Sequence, residues 1–327
     1  MLTKSNNTTY KGRLDNRYLI INEIDNGMTS KVYKVLDEQT SEIKIAKIYE
    51  NDSAHAFKKE KKIFKLLQAL DISSNIKYYA AGTGELEYDG NKEKKMFSIL
   101  EFGNKGNLFD VLFKTKNGFS EDVCEFILLL ILNAIEALHK NGICHRDIKP
   151  ENMVFIGDNY DLKLIDFGVA CKFLNKYGQK KKLQRCVGSE YYCSPEILEG
   201  KPYDGDKADI FSIGALLFVL MTKNFAFYDA TIDNTSFKIK KILYKIIQTK
   251  QYDKYWELLE KYFNIKNLSP NFKNLFLKMV AYNPEERPTI EEIRNDKFMS
   301  HIINASEEQL SLLRKKMINE IKCNNSN

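Results

Sequence analysis

The hydrophobic pattern changes at residues 101–106, EFGNKG, and this change divides the chain into two parts. Before it, short alternating runs of apolar and polar residues predict strands, and one segment with its apolar residues on a single face predicts a helix. The predicted strands lie within 18–49 and near 76–82 and 96–102, and the helix spans 53–70. The very hydrophilic stretch ELEYDGNKEKK is expected to be an exposed loop between the last two strands. Long helical patterns dominate after residue 107, so a small, mainly β part precedes a larger, mainly α part.

Composition predicts a folded, soluble protein. Of the 327 residues, 43% are hydrophobic and 29% are charged, and 50 basic against 44 acidic residues give a net charge of only +6, so no nucleic-acid partner is expected. Two apolar stretches, 123–138 and 208–222, are shorter than the roughly 18–20 residues of a membrane span and predict buried helices. The six cysteines show no metal-ligand spacing and the N-terminus has no apolar signal region, which predicts a cytoplasmic location.

The most specific chemical signal lies in the second part. The stretch CHRDIKPEN at 144–152 is followed, 14 residues after Asn152, by Asp166-Phe167-Gly168. Phosphoryl transfer from ATP requires oxygen ligands for a divalent metal, a carboxylate beside the attacking hydroxyl and a cation near the moving phosphate. These two segments supply residues of each kind, in an order and spacing that a lone DFG tripeptide would not provide.

On these residues, the chain resembles the eukaryotic protein kinase superfamily over roughly residues 18–300. The sequence GSEYYCSPEIL is most similar to that of the calcium/calmodulin-dependent group of Ser/Thr kinases. The resemblance implies an α+β, bilobal fold with a small β-rich N-lobe carrying one main helix and a large, mainly α C-lobe. The implied division is an N-terminal extension at 1–17, a kinase domain at 18–302 with its N-lobe at 18–102 and its hinge and C-lobe at 103–302, and a C-terminal tail at 303–327.

The resemblance also implies the roles of the catalytic-loop residues. Asp147 would accept or orient the proton of the substrate hydroxyl, and Lys149 would contact the transferring phosphate. Asn152 would hold one Mg²⁺ and Asp166 the other. The implied cofactors are therefore ATP and Mg²⁺, with Mn²⁺ as an alternative metal.

A kinase further needs a strand lysine that is ion-paired to a helix glutamate. Lys44 and Lys47 are both candidates, and being three apart they point to opposite faces of a strand. Lys47 lies 15 residues after Val32, the spacing of the family, so Lys44 is expected to be a surface residue. Glu60, the only acidic residue in FKKEKKIFKLL, is the predicted partner, and Phe64 one turn later would join the hydrophobic spine.

The nucleotide-binding segment departs from the family pattern. Residues 25–34, DNGMTSKVYK, taken alone predict a β-hairpin, because Asn-Gly is a common turn dipeptide. The family pattern GxGxxGxV falls on Asp25, Gly27, Ser30 and Val32, so only the middle glycine is kept and a weakened phosphate lid is expected. The nucleotide-contacting residues implied by the resemblance are Gly27, Val32, Ile45, Lys47, Leu100, Glu101, Gly103, Asn107 and Val154.

The segment between DFG and Ser194-Pro195-Glu196 bears on regulation. Many relatives carry a phosphorylated Ser or Thr three residues before the late glycine, and its charge pairs with the HRD arginine. Here that position is Arg185, so Arg146 is expected to lack a phosphate partner. Ser189 is expected to contact the catalytic aspartate and lysine, which is a mark of Ser/Thr specificity. Asp209 would hold the catalytic loop, and Arg287 would pair with Glu196.

The leading hypothesis is an ATP-dependent protein Ser/Thr kinase acting on protein substrates. The alternative is a pseudokinase scaffold that binds nucleotide weakly and acts through partners. A small-molecule kinase is disfavoured, because the activation segment and the SPE element serve to seat proteins. For the tail, docking through a stripe of Leu310, Leu313, Met317 and Ile321 and a solvated extension are equally open, with calmodulin binding as a minor alternative. Neither a membrane partner nor an oligomeric state is implied.

Overall fold

The computed structural model describes residues 10–27, 29–70, 72, 74–116, 118–227 and 239–323, with the backbone alone at 239–241 and 323. The chain forms two compact units. The first comprises the residues up to Asn104 together with Ile165–Gly168, and the second comprises Lys105–Leu164 and the residues from Val169 onward.

Among its described residues, the first unit forms a six-stranded antiparallel barrel with one α-helix. The strands pair in the order β1-β2-β3-β4-β6-β5, and β5 pairs with β1 to close the barrel. Its elements are β1 (Gly12–Leu14), β2 (Tyr18–Asn26), β3 (Ser30–Asp37), β4 (Glu42–Tyr49), a 3-10 turn (Asn51–Ser53), α1 (Ala54–Ala69), β5 (Tyr78–Tyr88) and β6 (Asn91–Glu101).

The barrel core follows from the period-two pattern of its strands. Alternate residues point inward and exclude water, including Leu14, Ile20, Val35, Ala46 and Ile99, each with no exposed surface. Leu14 comes from the segment expected to be an N-terminal extension, and its strand joins both β2 and β5. The predicted helix is confirmed as α1.

The prediction of an exposed loop at ELEYDGNKEKK is wrong. These residues belong to β5 and β6, which form a long hairpin with Tyr88 opposite Asn91. Asp89 and Gly90 make the two-residue turn with φ of 50° and 77°, the positive values that Asp-Gly accepts in tight hairpins. Polar residues dominate because most side chains in this part of the hairpin are exposed, whereas Leu86 reaches the barrel core.

The expectation that Lys44 is a surface residue is also wrong. Lys44 is only 4% exposed, because it lies on the inward face of β4 at one end of the barrel. Its ammonium contacts Asp37 Oδ2 at 2.6 Å, and Asp37 also accepts two hydrogen bonds of 2.8 Å from Arg17. The charge of Lys44 is therefore compensated inside the unit rather than by water.

The second unit is mainly helical. Its helices are α2 (Leu108–Lys114), α3 (Glu121–Lys140), α4 (Pro195–Leu198), α5 (Gly205–Thr222), α6 (Ile239–Gln248), α7 (Tyr252–Phe263), α8 (Pro270–Met279), α9 (Ile290–Arg294) and α10 (Glu307–Cys323), with 3-10 turns at Pro150–Asn152, Pro284–Glu286 and Lys297–Met299. Its strands form two antiparallel pairs, β7 (Ile143–Cys144) with β10 (Cys171–Lys172) and β8 (Met153–Ile156) with β9 (Asp161–Leu164).

Two of these helices are the predicted buried ones. All of residues 208–220 in α5 are buried, and α3 buries most of its apolar residues. Among the described residues, no helix combines the length and the apolar character needed to cross a membrane.

The tail forms α10, which docks on the second unit. Met317 and Ile321 are 0% and 3% exposed, and Leu310 and Leu313 are half-buried. Lys316 contacts Asp122 at 2.6 Å. Of the two alternatives for the tail, the docked stripe is therefore the observed one.

Replacing Asp37 with asparagine is expected to lower the free energy of unfolding by about 3 kcal/mol near neutral pH. The buried Lys44 ammonium would lose its nearer carboxylate and keep only the exposed Glu42, at 3.4 Å. The pKa of Asp37 lies below its ordinary value of 3.8, chiefly because Arg17 donates to it; burial opposes this shift and Lys44 adds to it. Ionised Asp37 therefore stabilises the fold above that ordinary value, and the contribution is lost as the pH falls through the folded-state pKa. Urea unfolding of wild type and Asp37→Asn should show a difference that shrinks steadily below about pH 4.

Glu38→Gln is the matched control. Glu38 pairs with Arg13 on the surface, where both side chains are 39% exposed, so its loss should change stability by less than about 1 kcal/mol. A difference for Asp37→Asn that stayed constant down to pH 3 would contradict the assignment.

Candidate active site

The predicted site residues are divided between the two units. The first unit contains Gly27, Val32, Ile45, Lys47, Glu60, Leu100, Glu101, Gly103 and Asp166, and the second contains Asn107, Asp147, Lys149, Asn152 and Val154.

A partly buried ion-pair network lies at the centre of the first set. Lys47 Nζ contacts Glu60 Oε1 at 2.9 Å and Asp166 Oδ1 at 3.0 Å. The Glu60 side chain is 2% exposed and that of Lys47 is 13% exposed. Burial lowers the pKa of Lys47, but the carboxylates of Glu60 and Asp166 outweigh it and raise the pKa above its ordinary value. The lysine therefore stays charged, and the predicted pairing with Glu60 is present.

Sequence reasoning missed a second partner of Glu60. The hydroxyl of Tyr49 donates to Glu60 Oε2 at 2.6 Å, so both carboxylate oxygens of this buried glutamate have a partner. Tyr49 lies two residues after Lys47 on β4, and residues two apart in a strand share a face. That spacing was the signal available in the sequence.

The aromatic contacts of α1 agree with the predicted spine. Phe64 packs edge-on against Phe167 at 5.6 Å between ring centroids and stacks on Tyr78 at 4.7 Å. Lys59 donates to the carbonyl oxygen of Gly168 at 3.0 Å. Helix α1 thus contacts the 166–168 segment at two of its residues, Phe167 and Gly168.

The predicted nucleotide-contacting residues of the barrel share one face. Val32 lies opposite Lys47, and Ile45 lies opposite Leu100. Since Ile45 and Lys47 are two apart, all four side chains point to the face opposite the barrel core. Glu101 ends β6, and its backbone N–H donates to the carbonyl oxygen of Lys77 at 2.9 Å.

The segment at Gly27 is a β-hairpin, as the dipeptide alone predicted. Asp25 pairs with Val32 and Asn26 with Lys31, and the Gly27 N–H donates to Ser30 O at 3.0 Å. Met28 lies outside the described residues. The role of this hairpin as a phosphate lid stays a prediction.

In the second unit, Asp209 holds the start of the catalytic loop. This fully buried carboxylate accepts the backbone N–H of His145 at 2.9 Å and that of Arg146 at 2.8 Å. It also contacts His139 Nε2 at 2.8 Å. The predicted role of Asp209 in fixing this loop is confirmed, and the pairing of Arg287 with Glu196, at 2.6 Å, is confirmed as well.

The carboxylate of Asp147 is held by three neighbours. Its Oδ1 accepts the backbone N–H of Ser189 at 2.8 Å, and its Oδ2 accepts Nδ2 of Asn152 at 2.9 Å. Lys149 Nζ lies 3.3 Å from the same Oδ2 and donates to Ser189 Oγ at 2.7 Å. The expected contacts of Ser189 with the aspartate and the lysine are both present, and they fix the orientation of a carboxylate that can accept a proton.

Arg146 is not without partners, although the sequence suggested a missing one. Its backbone has φ of 67°, which is strained for a residue with a side chain. Its guanidinium donates to the carbonyl oxygen of Val169 and to the hydroxyl of Tyr203. Tyr203 lies 57 residues away in sequence, and no local pattern pointed to it.

Asn107 and Val154 are neighbours through an isolated β-bridge. The side chain of Asn107 caps α2, because its Oδ1 accepts the backbone N–H of Asp110 at 2.7 Å. Its predicted contact with ribose remains a prediction, and the observed role is that of a helix cap.

Asn152 and Asp166 each carry an oxygen donor of the kind that a magnesium ion binds. Asn152 uses its amide nitrogen on the backbone oxygen of Asp147 at 2.8 Å and on its Oδ2, which leaves the amide oxygen to act as a ligand. Asp166 has φ of 58° and contributes a carboxylate. Amide and carboxylate oxygens are the protein ligands that Mg²⁺ prefers.

Comparison with known proteins agrees with this chemistry. The sequence pattern of the family described as "Protein kinase domain" matches residues 18–299. A human SNF-related serine/threonine-protein kinase is 33% identical over 210 residues, which are 64% of this chain and 25% of that protein. The maternal embryonic leucine zipper kinase of Xenopus laevis is 35% identical over 208 residues, 64% of this chain and 29% of the relative. Calcium-dependent protein kinase 5 of Plasmodium berghei is 29% identical over 278 residues, 84% of this chain and 44% of the relative.

The Tyr49 hydroxyl is expected to stabilise the buried Glu60 carboxylate by about 1.5–3 kcal/mol, the range for hydrogen bonds to charged groups. A double-mutant cycle of Tyr49→Phe and Glu60→Gln, measured by urea unfolding, should return a coupling energy of that size. Tyr33→Phe combined with Glu60→Gln is the control, because Tyr33 is equally buried but packs its ring on Tyr88. Equal coupling in the two cycles would contradict the assignment.

Proposed function

Because the chain belongs to the protein kinase domain family, we propose that it is a protein serine/threonine kinase that transfers the γ-phosphate of Mg-ATP to hydroxyls of protein substrates. The observation that carries the proposal is the arrangement around Asp147. Its carboxylate is oriented by Asn152, Lys149 and the backbone of Ser189. The curated relatives support the Ser/Thr class through their printed names. The chain spans about a quarter of the length of the first of them, so the activity proposed is that of this chain alone.

The roles within the catalytic loop follow from charge and geometry. Asp147 accepts the proton of the attacking hydroxyl or orients that hydroxyl for attack. Lys149, held 3.3 Å from Asp147 Oδ2, supplies a positive charge for the transferring phosphate. Its hydrogen bond to Ser189 Oγ gives the ammonium a second partner besides the Asp147 carboxylate. Each group is therefore positioned before substrate arrives, which is where most of the catalytic advantage of such sites arises.

The barrel residues would bind the nucleotide. Lys47 stays protonated between Glu60 and Asp166, so it offers a fixed cation to the phosphates. Asn152 would hold one Mg²⁺ and Asp166 the other, and their positive charge would stabilise the phosphate oxygens. Ile45 and Leu100, paired across β4 and β6, would contact the adenine.

The pseudokinase alternative rests on the hairpin at 25–32. Asp25 and Ser30 stand where relatives have glycine, and Ile45 stands where they usually have alanine. These changes affect the affinity for nucleotide, whereas the side chains proposed for the base, the cation and the metal are all kept. The kinase proposal is therefore favoured.

Transfer of radiolabelled phosphate from Mg-ATP, and separately from Mn-ATP, to a mixed panel of proteins tests the proposal. Wild type should label the panel on Ser or Thr, and Asp147→Ala should lower the rate at least about 100-fold, as expected for loss of a general base. Asp158→Ala is the control, because Asp158 is a fully exposed partner of Lys105 and its loss should leave the rate unchanged.

Equal background labelling by wild type and Asp147→Ala, with nucleotide still bound in a calorimetric titration, would overturn the kinase proposal in favour of the scaffold. Labelling of a small metabolite without labelling of any protein would point to the small-molecule class instead.

A further inference from the structure

We propose that Tyr203 is a positioning residue that holds Arg146, and through it the catalytic loop, without any phosphorylated residue in the activation segment. The activation segment is defined here as residues 169–193. This inference rests on the proposed kinase function and concerns how that function is regulated.

Arg146 needs acceptors because its charge is buried. The residue is 6% exposed, and a buried guanidinium with unsatisfied N–H groups is costly. Nε donates to Val169 O at 2.8 Å, Nη2 donates to the same oxygen, and Nη1 donates to the Tyr203 hydroxyl at 3.0 Å. Among the described residues, no carboxylate lies within ion-pair distance of Arg146. The Tyr203 hydroxyl is thus the only side-chain acceptor found for it in that part of the chain.

Tyr203 links this arginine to the activation segment. It is 1% exposed, and its hydroxyl donates to the carbonyl oxygen of Arg185 at 2.9 Å. Its backbone pairs with Leu183 through two hydrogen bonds of 2.8 Å. Arg185 is the residue at the position where a phosphate would have been expected. A hydroxyl and a backbone carbonyl therefore make the connection that a phosphate on residue 185 would otherwise make.

Other contacts fasten the same segment without phosphate. Lys180 contacts Asp206 at 2.5 Å and Lys182 contacts Asp204 at 2.6 Å, both at the beginning of α5. Gly188 has φ of 103°, and a Cβ there would lie 2.5 Å from the carbonyl oxygen of Arg146. The segment therefore lies directly against the catalytic-loop backbone at its far end.

Two short connections join Tyr203 and its partners to the Asp147 carboxylate. Arg146 immediately precedes Asp147, and its own N–H is fixed by Asp209. Ser189, next to Gly188, donates its N–H to Asp147 Oδ1. Loosening either the Arg146 side chain or the segment should therefore misplace the Asp147 carboxylate while leaving the nucleotide-binding residues of the barrel unchanged.

The test compares Tyr203→Phe with wild type in the full chain. Removal of the hydroxyl should lower kcat about tenfold, as expected for loss of a hydrogen bond to a charged group in the active geometry, with KM for ATP unchanged. Treatment of the wild type with a broad-specificity phosphatase should leave kcat unchanged. Tyr255→Phe is the matched control, because the Tyr255 hydroxyl is a fully buried donor to a backbone carbonyl, Ala226 O at 2.9 Å, in the same unit. Its kcat should equal that of the wild type.

A second substitution that restores kcat would show that Tyr203 positions Arg146 rather than only stabilising the fold. Arg185→Glu, added to Tyr203→Phe, puts a carboxylate on the residue whose carbonyl oxygen accepts from Tyr203. It should recover at least about threefold of the lost rate, because charged acceptors bind guanidinium more strongly than hydroxyls do. An unchanged kcat in Tyr203→Phe, an equal loss in Tyr255→Phe, or a loss of wild-type activity after phosphatase treatment would overturn the proposal.

A readout that needs no activity keeps this inference distinct from the proposed function. In an Asp147→Ala background, Tyr203→Phe should accelerate hydrogen exchange at the amides of residues 183–187, and Tyr255→Phe should not. Accelerated exchange in a chain whose wild type transfers no phosphate would refute the kinase function but retain the structural link. Unchanged exchange would overturn the link whatever the activity.

Discussion

The ion pairs of the largely buried Lys47 ammonium with Glu60 and Asp166 are the interactions on which the candidate site of the first unit rests. A lysine charge taken out of water must be compensated at short range, and here one strand lysine meets a glutamate from α1 and an aspartate from residues 165–168. Glu60 occupies a position on the buried, apolar face of α1, where a carboxylate is tolerated only because Lys47 and Tyr49 both bind it. The network therefore fixes a strand, a helix and the Asp166 segment with a single set of charges.

In the second unit, the main constraint is the strained backbone at Arg146, in the loop at 144–152. Arg146 has a positive φ, and the energy of this conformation must be offset by contacts that the relaxed backbone would lose. Asp209 supplies these contacts to the backbone, and Tyr203 with Val169 supplies them to the side chain. Asp147, the next residue, then has its carboxylate fixed by three donors. These contacts therefore hold the strained loop and fix the orientation of the Asp147 carboxylate.

Much of the candidate site was predictable because its residues are close in sequence. Asp147, Lys149 and Asn152 lie within one loop, Lys47 follows from strand parity and spacing, and Glu60 is the only acid of its helix. The ATP, Mg²⁺ and substrate roles of these residues remain predictions that geometry within each unit supports. Asp147, Lys149 and Asn152 lie within a few residues of one another, and sequence patterns predict such local arrangements well.

The features that sequence reasoning missed are of two kinds. Some depend on contacts between residues that are distant in sequence, and others on strands that are exposed to solvent on both faces. Tyr203 meets Arg146 across 57 residues, and Lys44 is buried because Asp37 and Arg17 lie beside it at the barrel end. Strands β5 and β6 extend beyond the core with polar residues on both faces, so their period-two signal disappears, although the Asp-Gly turn marked the hairpin. For Tyr203 and Lys44 a tertiary contact, rather than a local preference, decided the outcome.

The most direct test identifies the amino acid that is phosphorylated when a protein substrate is incubated with labelled Mg-ATP. One incubation contains the wild type, and the other contains Lys47→Met. We expect phosphoserine or phosphothreonine with wild type and a signal reduced at least about 100-fold with the variant, since a preorganised cation at the phosphates is lost. Equal labelling by both proteins, or labelling of tyrosine alone, would contradict the account.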